Sequence, residues 1–353
     1  MKIIVNDIAA SSGGALTILR SFYEYICKSE EAQKHTWIFL LSDKYLSETR
    51  NVKVIILKDI KKSWIKRLKF DLIKGKKFIA ELEPDIVFSM QNTAISGLKC
   101  PQVIYLHQSI PFQEVKKFSF MKQDEFKLAI YQYIIGYVIK RSLKSVEHIV
   151  VQTKWMKAAI TEQLKIETTK ITNILPQIDQ IEIQSSLVNE QFFNNSFFYP
   201  ADNLSYKNHY CLIEAVRLLN ELGIDNFEVK LTIDNNESNS NIKYLGKIPR
   251  EIVLKEYNKS VLVFPSYIET IGLPLLEARQ CGALILASDT PFSREALDNY
   301  PNAYYFNPFN PNELADLMKK AINGNIRRLK CSNTYVDTNS WDDVLKLLES
   351  EVR

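Results

Sequence analysis

The sequence predicts an α/β protein made of two tandem domains, each a parallel sheet covered by helices. Three observations carry this. The chain has 353 residues, beyond the ~250–300 at which one hydrophobic core tends to divide. Short apolar runs alternate with segments of helical spacing, the pattern of strands joined by crossover helices. The alternation stops near Leu175-Pro176 and resumes near Phe197.

In the first half, apolar runs of strand length lie at 3–5, 37–41, 54–57, 86–88, 103–106 and 149–151. Between the first two, Ala15, Leu16, Leu19, Phe22, Tyr23 and Ile26 recur at helical spacing. Residues 177–195 are polar, carry Asn194-Asn195 and read as a linker. In the second half, 197–199, 229–233, 242–245, 261–264 and 284–287 read as strands, and 207–222, 250–258, 273–280 and 311–322 as helices. Residues 234–241 form a polar loop. The expected divisions are a first domain over 1–175, a linker over 176–195, a second domain over 196–335, and a closing helix over 336–353 that packs back on the first domain.

Composition excludes several classes. Hydrophobic residues make up 46% and charged residues 24%, ordinary globular usage that excludes disorder and collagen-like repeats. The five cysteines and four histidines are scattered, without a CxxC pair, so neither a disulfide framework nor a zinc site is predicted and a reducing cytosol fits. Residues 1–5 read as a strand rather than a secretory signal. The longest apolar stretch, 128–139, is interrupted by Gln132 and falls short of the ~20 residues of a spanning helix.

Charge is unevenly divided. Residues 1–175 hold 28 Lys and Arg against 17 Asp and Glu, whereas residues 176–353 hold 17 against 24. A basic half points to an anionic partner. Lys61, Lys62, Lys66, Arg67, Lys69, Lys74, Lys76 and Lys77 surround Trp64, Ile65, Leu68, Phe70 and Leu72. Residues 61–78 therefore read as a basic amphipathic helix for an anionic membrane surface, Trp64 and Phe70 inserting. A solvated helix face is the alternative. No nucleic-acid motif accompanies the patch.

Ligands of open α/β sheets gather beyond the carboxyl ends of the strands, so residues just after strands carry the candidate chemistry. Gly13 and Gly14 follow the first strand and precede a helix, where backbone amides can approach phosphate; an ordinary turn has the same composition. No GxGxxG fingerprint is present, which argues against a nicotinamide enzyme. His107 ends the strand at 103–106, although a lone histidine there also serves structure. Lys207 stands near a strand-to-helix turn, where a cation can neutralise a bound diphosphate. Glu269 and Glu277 bracket a loop entering a helix, with Gly272 and Pro274 between them. Paired carboxylates there suit sugar hydroxyls, since a carboxylate accepts two hydrogen bonds from a vicinal diol.

The Glu269-to-Glu277 segment, with Gly272-Leu273-Pro274 inside it and Cys281-Gly282-Ala283 and Ala287-Ser288-Asp289 after it, resembles the signature of family 4 retaining glycosyltransferases. The likeness extends to Gly13-Gly14, His107, Tyr206-Lys207-Asn208-His209, Gly246-Lys247-Ile248-Pro249 and Phe306-Asn307-Pro308. It implies the GT-B fold, in which two Rossmann-like parallel-sheet domains face a central cleft, the first for the acceptor and the second for a nucleotide-sugar. It implies that Lys207 contacts the donor diphosphate and that Glu277 holds the ribose. Glu269 and the amides of Ile271, Gly272 and Leu273 would hold the transferred sugar. His107 would support the reacting centre, and Gly13 and Gly14 would lie near the diphosphate. Two positions depart from the family: Thr270-Ile271 stands where Gly-Phe is frequent, and Pro200-Ala201-Asp202 lacks a frequent basic residue.

The resemblance implies a retaining hexosyltransferase, with front-face attack or a covalent intermediate. The nucleotide-diphosphate sugar is a co-substrate, no cofactor is expected, and the absence of Asp-x-Asp predicts no essential metal. A basic, aromatic-rich first domain fits a lipid-linked oligosaccharide acceptor in bacterial O-antigen, capsule or exopolysaccharide assembly. The corresponding location is cytoplasmic and peripheral on the inner face of the membrane. A soluble acceptor, a nucleotide-sugar epimerase and a non-catalytic partner subunit are the alternatives.

Overall fold

The computed structural model describes residues 1–11, 13–175, 192–234, 240–330 and 340–352. The chain divides into two compact units, Met1–Ile178 with Asp337–Arg353, and Asp179–Val336. The expected linker lies mostly outside the described residues, and so does most of the loop expected at 234–241.

The first unit holds seven strands: β1 (Lys2–Asn6), β2 (Thr36–Leu41), β3 (Val52–Ile56), β4 (Ile86–Ser89), β5 (Gln102–Leu106), β6 (His148–Val151) and β7 (Ile171–Asn173). They pair in parallel in the order β3-β2-β1-β4-β5-β6-β7. Strands β4, β5 and β6 are buried along their whole length, which is why they read as continuous apolar runs. Strand β7 has no such run because only Ile171 is buried at this edge.

The second unit holds β8 (Phe193–Tyr199), β9 (Glu228–Leu231), β10 (Ile242–Tyr244), β11 (Ser260–Phe264), β12 (Ile285–Ser288) and β13 (Ala303–Phe306). Their order is β10-β9-β8-β11-β12-β13, again parallel. Residues 193–195, expected in the linker, begin β8: Phe193 pairs with Ser260 before a register shift at Val261. These residues are exposed or half-buried, so they carry no apolar signature.

The expected amphipathic helix at 61–78 is divided. Helical turns at Lys58–Lys61, Trp64–Lys69 and Gly75–Ala80 flank a wide π turn at Phe70–Lys74. Asp71 is buried there, accepting hydrogen bonds from Gln91 Nε2 (3.1 Å) and Thr93 Oγ1 (2.8 Å). A Cβ on Gly75 would lie 2.8 Å from the Phe70 carbonyl oxygen and 3.0 Å from Ile95, so the path after the turn needs glycine. Phe70 belongs to the core and half-buried Trp64 packs against another apolar cluster, which corrects the expectation that these two rings insert into a membrane. Among the described residues no helix is long and apolar enough to cross a membrane.

The closing helix, Trp341–Val352, completes the first core. Trp341, Val344, Leu345 and Leu348 are buried at helical spacing with Phe22, Trp37, Phe88 and Tyr105. Trp341 Nε1 donates to Ser21 Oγ at 3.0 Å, and its ring centroid is 4.8 Å from that of Phe22. Trp341→Ala is expected to cost about 3–5 kcal/mol, read by chemical denaturation of the full chain. A loss below about 1 kcal/mol would show that the helix is dispensable to that core.

Candidate active site

In the second sheet the strand order reverses between β8 and β11, and the crevice beyond their carboxyl ends is where such sheets hold ligands. Lys207 lies in the loop after β8, in a tight turn at Ser205–Lys207 just ahead of the helix His209–Glu221. Asn208 makes the join with φ 59°, a left-handed conformation that asparagine tolerates better than most residues. Its Nδ2 donates to the carbonyls of Pro308 (2.7 Å) and Pro265 (3.2 Å). One amide therefore fastens the loops that follow β8, β11 and β13. Tyr199 adds a hydrogen bond from its hydroxyl to the Lys207 carbonyl (2.8 Å).

That frame brings Lys207 and Glu269 together. Lys207 Nζ lies 2.5 Å from Glu269 Oε1, with only 18% and 16% of the two side chains exposed. Ser266 Oγ donates to the same carboxylate oxygen at 2.7 Å. The Tyr206 ring lies 5.6 Å from the ammonium. Burial, reinforced by the Glu269 charge, pushes the Tyr206 hydroxyl up to about 12. The two residues assigned separate ligand contacts by resemblance are thus partners of one another in this structure.

Gly272 opens the helix Leu273–Gln280 with φ 77°, a conformation most residues resist. A Cβ there would also lie 3.2 Å from Leu275 Cδ1. Ile271 beside it is buried and Leu273 is exposed. Glu277 projects from the second turn of this helix. Its Oε1 pairs with Arg250 Nη2 at 3.1 Å, and the Tyr257 hydroxyl donates to Oε2 at 3.4 Å. Burial raises that hydroxyl's pKa well above its usual value, and the Glu277 charge adds to the effect.

Lys207 also lines a cavity of about 370 Å³ with Pro200, Asp202, Thr232, Lys247 and Ile248. Lys247 brings a second cation after β10 and occupies none of the roles assigned from sequence. Its signal was the strand-end position of Gly246-Lys247: Gly246 has φ 60°, and a Cβ on it would lie 2.7 Å from Asp234 Oδ1. Arg250 was likewise missed, being an unremarkable charge at a helix start.

In the first unit, His107 follows β5 directly. Its backbone N–H donates to Asn92 Oδ1 (2.7 Å), and its Nδ1 meets Gln152 Nε2 at 3.3 Å. Burial pulls the imidazole down to about 4, so it is neutral near pH 7. The helix Gly13–Lys28 begins with the two predicted glycines. A Cβ on Gly14 would meet nothing within 4 Å, so packing within the unit does not require glycine there.

A second polar cluster was not foreseen. It lies at β1 and β4, where the first sheet's strand order reverses. Asn6 ends β1 fully buried, with neither side-chain atom hydrogen-bonded. Asp7 is buried beside it, and Arg67 Nη2 donates to the Gln91 carbonyl at 3.0 Å. Burial raises Asp7 to about 8 against the opposing pull of the Ala10 amide, Arg67 and Lys61. Asp71 rises to about 6, again by burial, opposed by Arg67 and by its bonds to Thr93 and Gln91. The available signal was Asn6-Asp7 ending an otherwise apolar strand. Among the described residues no group of three or more His, Cys, Asp and Glu could hold a metal ion.

The structure thus joins two parallel-sheet units, the second with lysine and carboxylate side chains at its strand ends. Residues 194–335 match the family model described as Glycosyl transferases group 1. The chain is 22% identical over 252 residues to the O-antigen chain mannosyltransferase RfbU of Salmonella typhimurium (strain LT2), over 69% of this chain and 68% of that one. The lipopolysaccharide outer core galactosyltransferase WaaB, in its apo form, is similar at TM-score 0.61 and 14% identity, covering 93% of this chain and 92% of that chain. Anabaena Alr3699/HepE in complex with UDP-glucose is similar at TM-score 0.58 and 15% identity, covering 92% and 90%. The chain shares the GT-B fold of these structures, and the match to the group 1 glycosyl transferase model falls within its second unit.

The Asp7 shift makes a pH prediction. A carboxyl raised from 3.8 to about 8 keeps a proton in the folded chain that the unfolded chain releases. Its contribution is fully present below pH 3.8 and is lost as pH rises through 8. Asp7→Asn should flatten the fall in thermal midpoint between pH 5 and 8.5, with roughly 2–5 kcal/mol separating the variants at pH 8. Parallel melting curves would contradict a buried, protonated Asp7.

Proposed function

We propose that this glycosyltransferase moves a hexose, with retention, from a nucleotide-diphosphate sugar to a lipid-linked oligosaccharide during bacterial surface-polysaccharide assembly. The observation that carries the reading is the Lys207–Glu269 pair (2.5 Å) beside Lys247, at the strand ends of the group 1 domain. Relatives named for O-antigen and outer-core sugar transfer support the polysaccharide setting, and one solved with UDP-glucose supports the donor class.

The residues divide the work as follows. An arriving diphosphate competes with Glu269 for Lys207, and Lys247 adds charge on the same cavity. The amides opening the helix His209–Glu221 add positive potential. Glu269, released from the ammonium, accepts hydrogen bonds from sugar hydroxyls. Glu277, oriented by Arg250 and Tyr257, accepts the ribose diol. As the anomeric bond breaks, negative charge grows on the leaving phosphate, where fixed cations stabilise it most. In front-face attack that phosphate takes the acceptor proton. His107, neutral near pH 7, acts as a hydrogen-bonding group rather than a cation. Two lysines supply charge that a divalent metal would otherwise bring, so no essential metal enters the scheme. A lipid-linked acceptor would bring the enzyme to the cytoplasmic face of the membrane.

The test is transfer of labelled sugar from UDP- and GDP-hexoses to a lipid-linked oligosaccharide extracted from bacterial membranes. Transfer with retained anomeric configuration is expected; transfer only to water-soluble acceptors would replace the lipid-linked reading. Lys207→Ala should lower the rate by about 10²–10³, and EDTA should leave the wild type active. Glu277→Ala should weaken donor binding by about 1.5–3 kcal/mol, measured calorimetrically; unchanged affinity would remove the ribose role.

A further inference from the structure

A cavity with no role assigned so far lies in the first unit, against the divided helix at 58–80. Its volume is about 800 Å³, within the range of small-molecule sites. Ile60, Phe70, Ile73 and Phe78 give it an apolar lining, and four lysines also line it: Lys66, Lys69, Lys74 and Lys77. Two acids contribute as well, Asp59 and Glu81. Asp59 is already held by Lys62 at 2.6 Å, so the lining stays net positive.

The π turn creates this arrangement. It draws Phe70 and Asp71 into the unit and leaves Ile73 67% exposed. All four lysines are exposed, free to extend their ammonium groups while their stems cover apolar surface. An exposed isoleucine and a buried phenylalanine sharing one cavity with four lysines make a poor surface for water and a good one for an amphiphile. Phosphate alone would leave the apolar lining uncovered. A neutral hydrocarbon would leave four charges unanswered.

We propose that this cavity binds one anionic lipid, with its phosphate on the lysines and its hydrocarbon against Ile60, Phe70, Ile73 and Phe78. The inference rests on the membrane setting proposed above and changes its means. The basic segment holds a lipid in a cavity rather than inserting Trp64 and Phe70 into the bilayer.

The test uses the full chain and dihexanoyl phosphatidic acid below its micelle concentration, titrated calorimetrically. Dihexanoyl phosphatidylcholine and inorganic phosphate are the controls. Phosphatidic acid should bind at least tenfold more tightly than either. Ile73→Asp, at an exposed position, should lower affinity at least tenfold. Lys69→Gln with Lys74→Gln should do the same and reduce the salt dependence. Equal binding of the two lipids, full competition by inorganic phosphate, or wild-type affinity in Ile73→Asp would each overturn the proposal. Nucleotide-sugar binding, measured on the same variants, should stay unchanged because Lys207 and Glu277 lie in the other unit. Absent phosphatidic acid binding by the wild type with intact donor binding thus rejects the cavity alone, whereas absent donor binding in the wild type rejects the transferase reading.

Discussion

The ion pair between Lys207 and Glu269 is the constraint around which the second unit is arranged. Taking two charges largely out of water costs several kcal/mol per ion, recovered only with close geometry and further hydrogen bonds. The structure supplies both: a 2.5 Å contact, the Ser266 hydroxyl on the carboxylate and an aromatic ring near the ammonium. Behind them stand Asn208, which fastens three strand-end loops, and Tyr199, which fixes the Lys207 carbonyl. The pair balances itself without ligand. Under the proposed function a diphosphate offers the lysine more negative charge than one carboxylate does, which would couple donor binding to rearrangement of the pair.

The first unit handles buried charge differently. Asp7 and Asp71 have no carboxylate-to-cation contact as close as that of Lys207, and burial instead pushes both toward the protonated form. The unit's sheet needs the closing helix to cover β1 and β4, so the end of the chain contributes Trp341 to the same core as Phe22 and Trp37. A single chain thus leaves the first unit, builds the second and returns.

Much of this fold was legible because parallel strands buried on both faces are continuous apolar runs, as at 86–88, 103–106 and 149–151. Edge strands were not: Ile171–Asn173 buries one residue, and β13 buries only Phe306. The start of β8 hid among asparagines. The π turn was illegible because helical spacing assumes a constant 3.6-residue period, whereas a single wide turn moves Phe70 inward and Ile73 outward. In the site, Glu269, Gly272 and Glu277 stood out because glycine and carboxylates cluster in sequence across one loop. The partnership of Lys207 with Glu269 joins residues 62 apart, and the contact of Arg250 with Glu277 likewise depends on the packing of separate helices. Spacing within a single chain does not reveal such contacts. Asp7 lacked a signal strong enough to separate a buried carboxyl from the ordinary polar end of a strand.

In the proposed function Glu269 neutralises Lys207 until a donor diphosphate arrives. The most direct measurement is the affinity of the bare nucleoside diphosphates UDP and GDP for wild type and Glu269→Gln, by calorimetry. Removing the carboxylate charge frees the ammonium, while a bare diphosphate has no sugar for Glu269 to hold. Glu269→Gln is expected to bind the preferred diphosphate more tightly than the wild type, yet to transfer sugar poorly. Equal or weaker diphosphate binding by Glu269→Gln would contradict it.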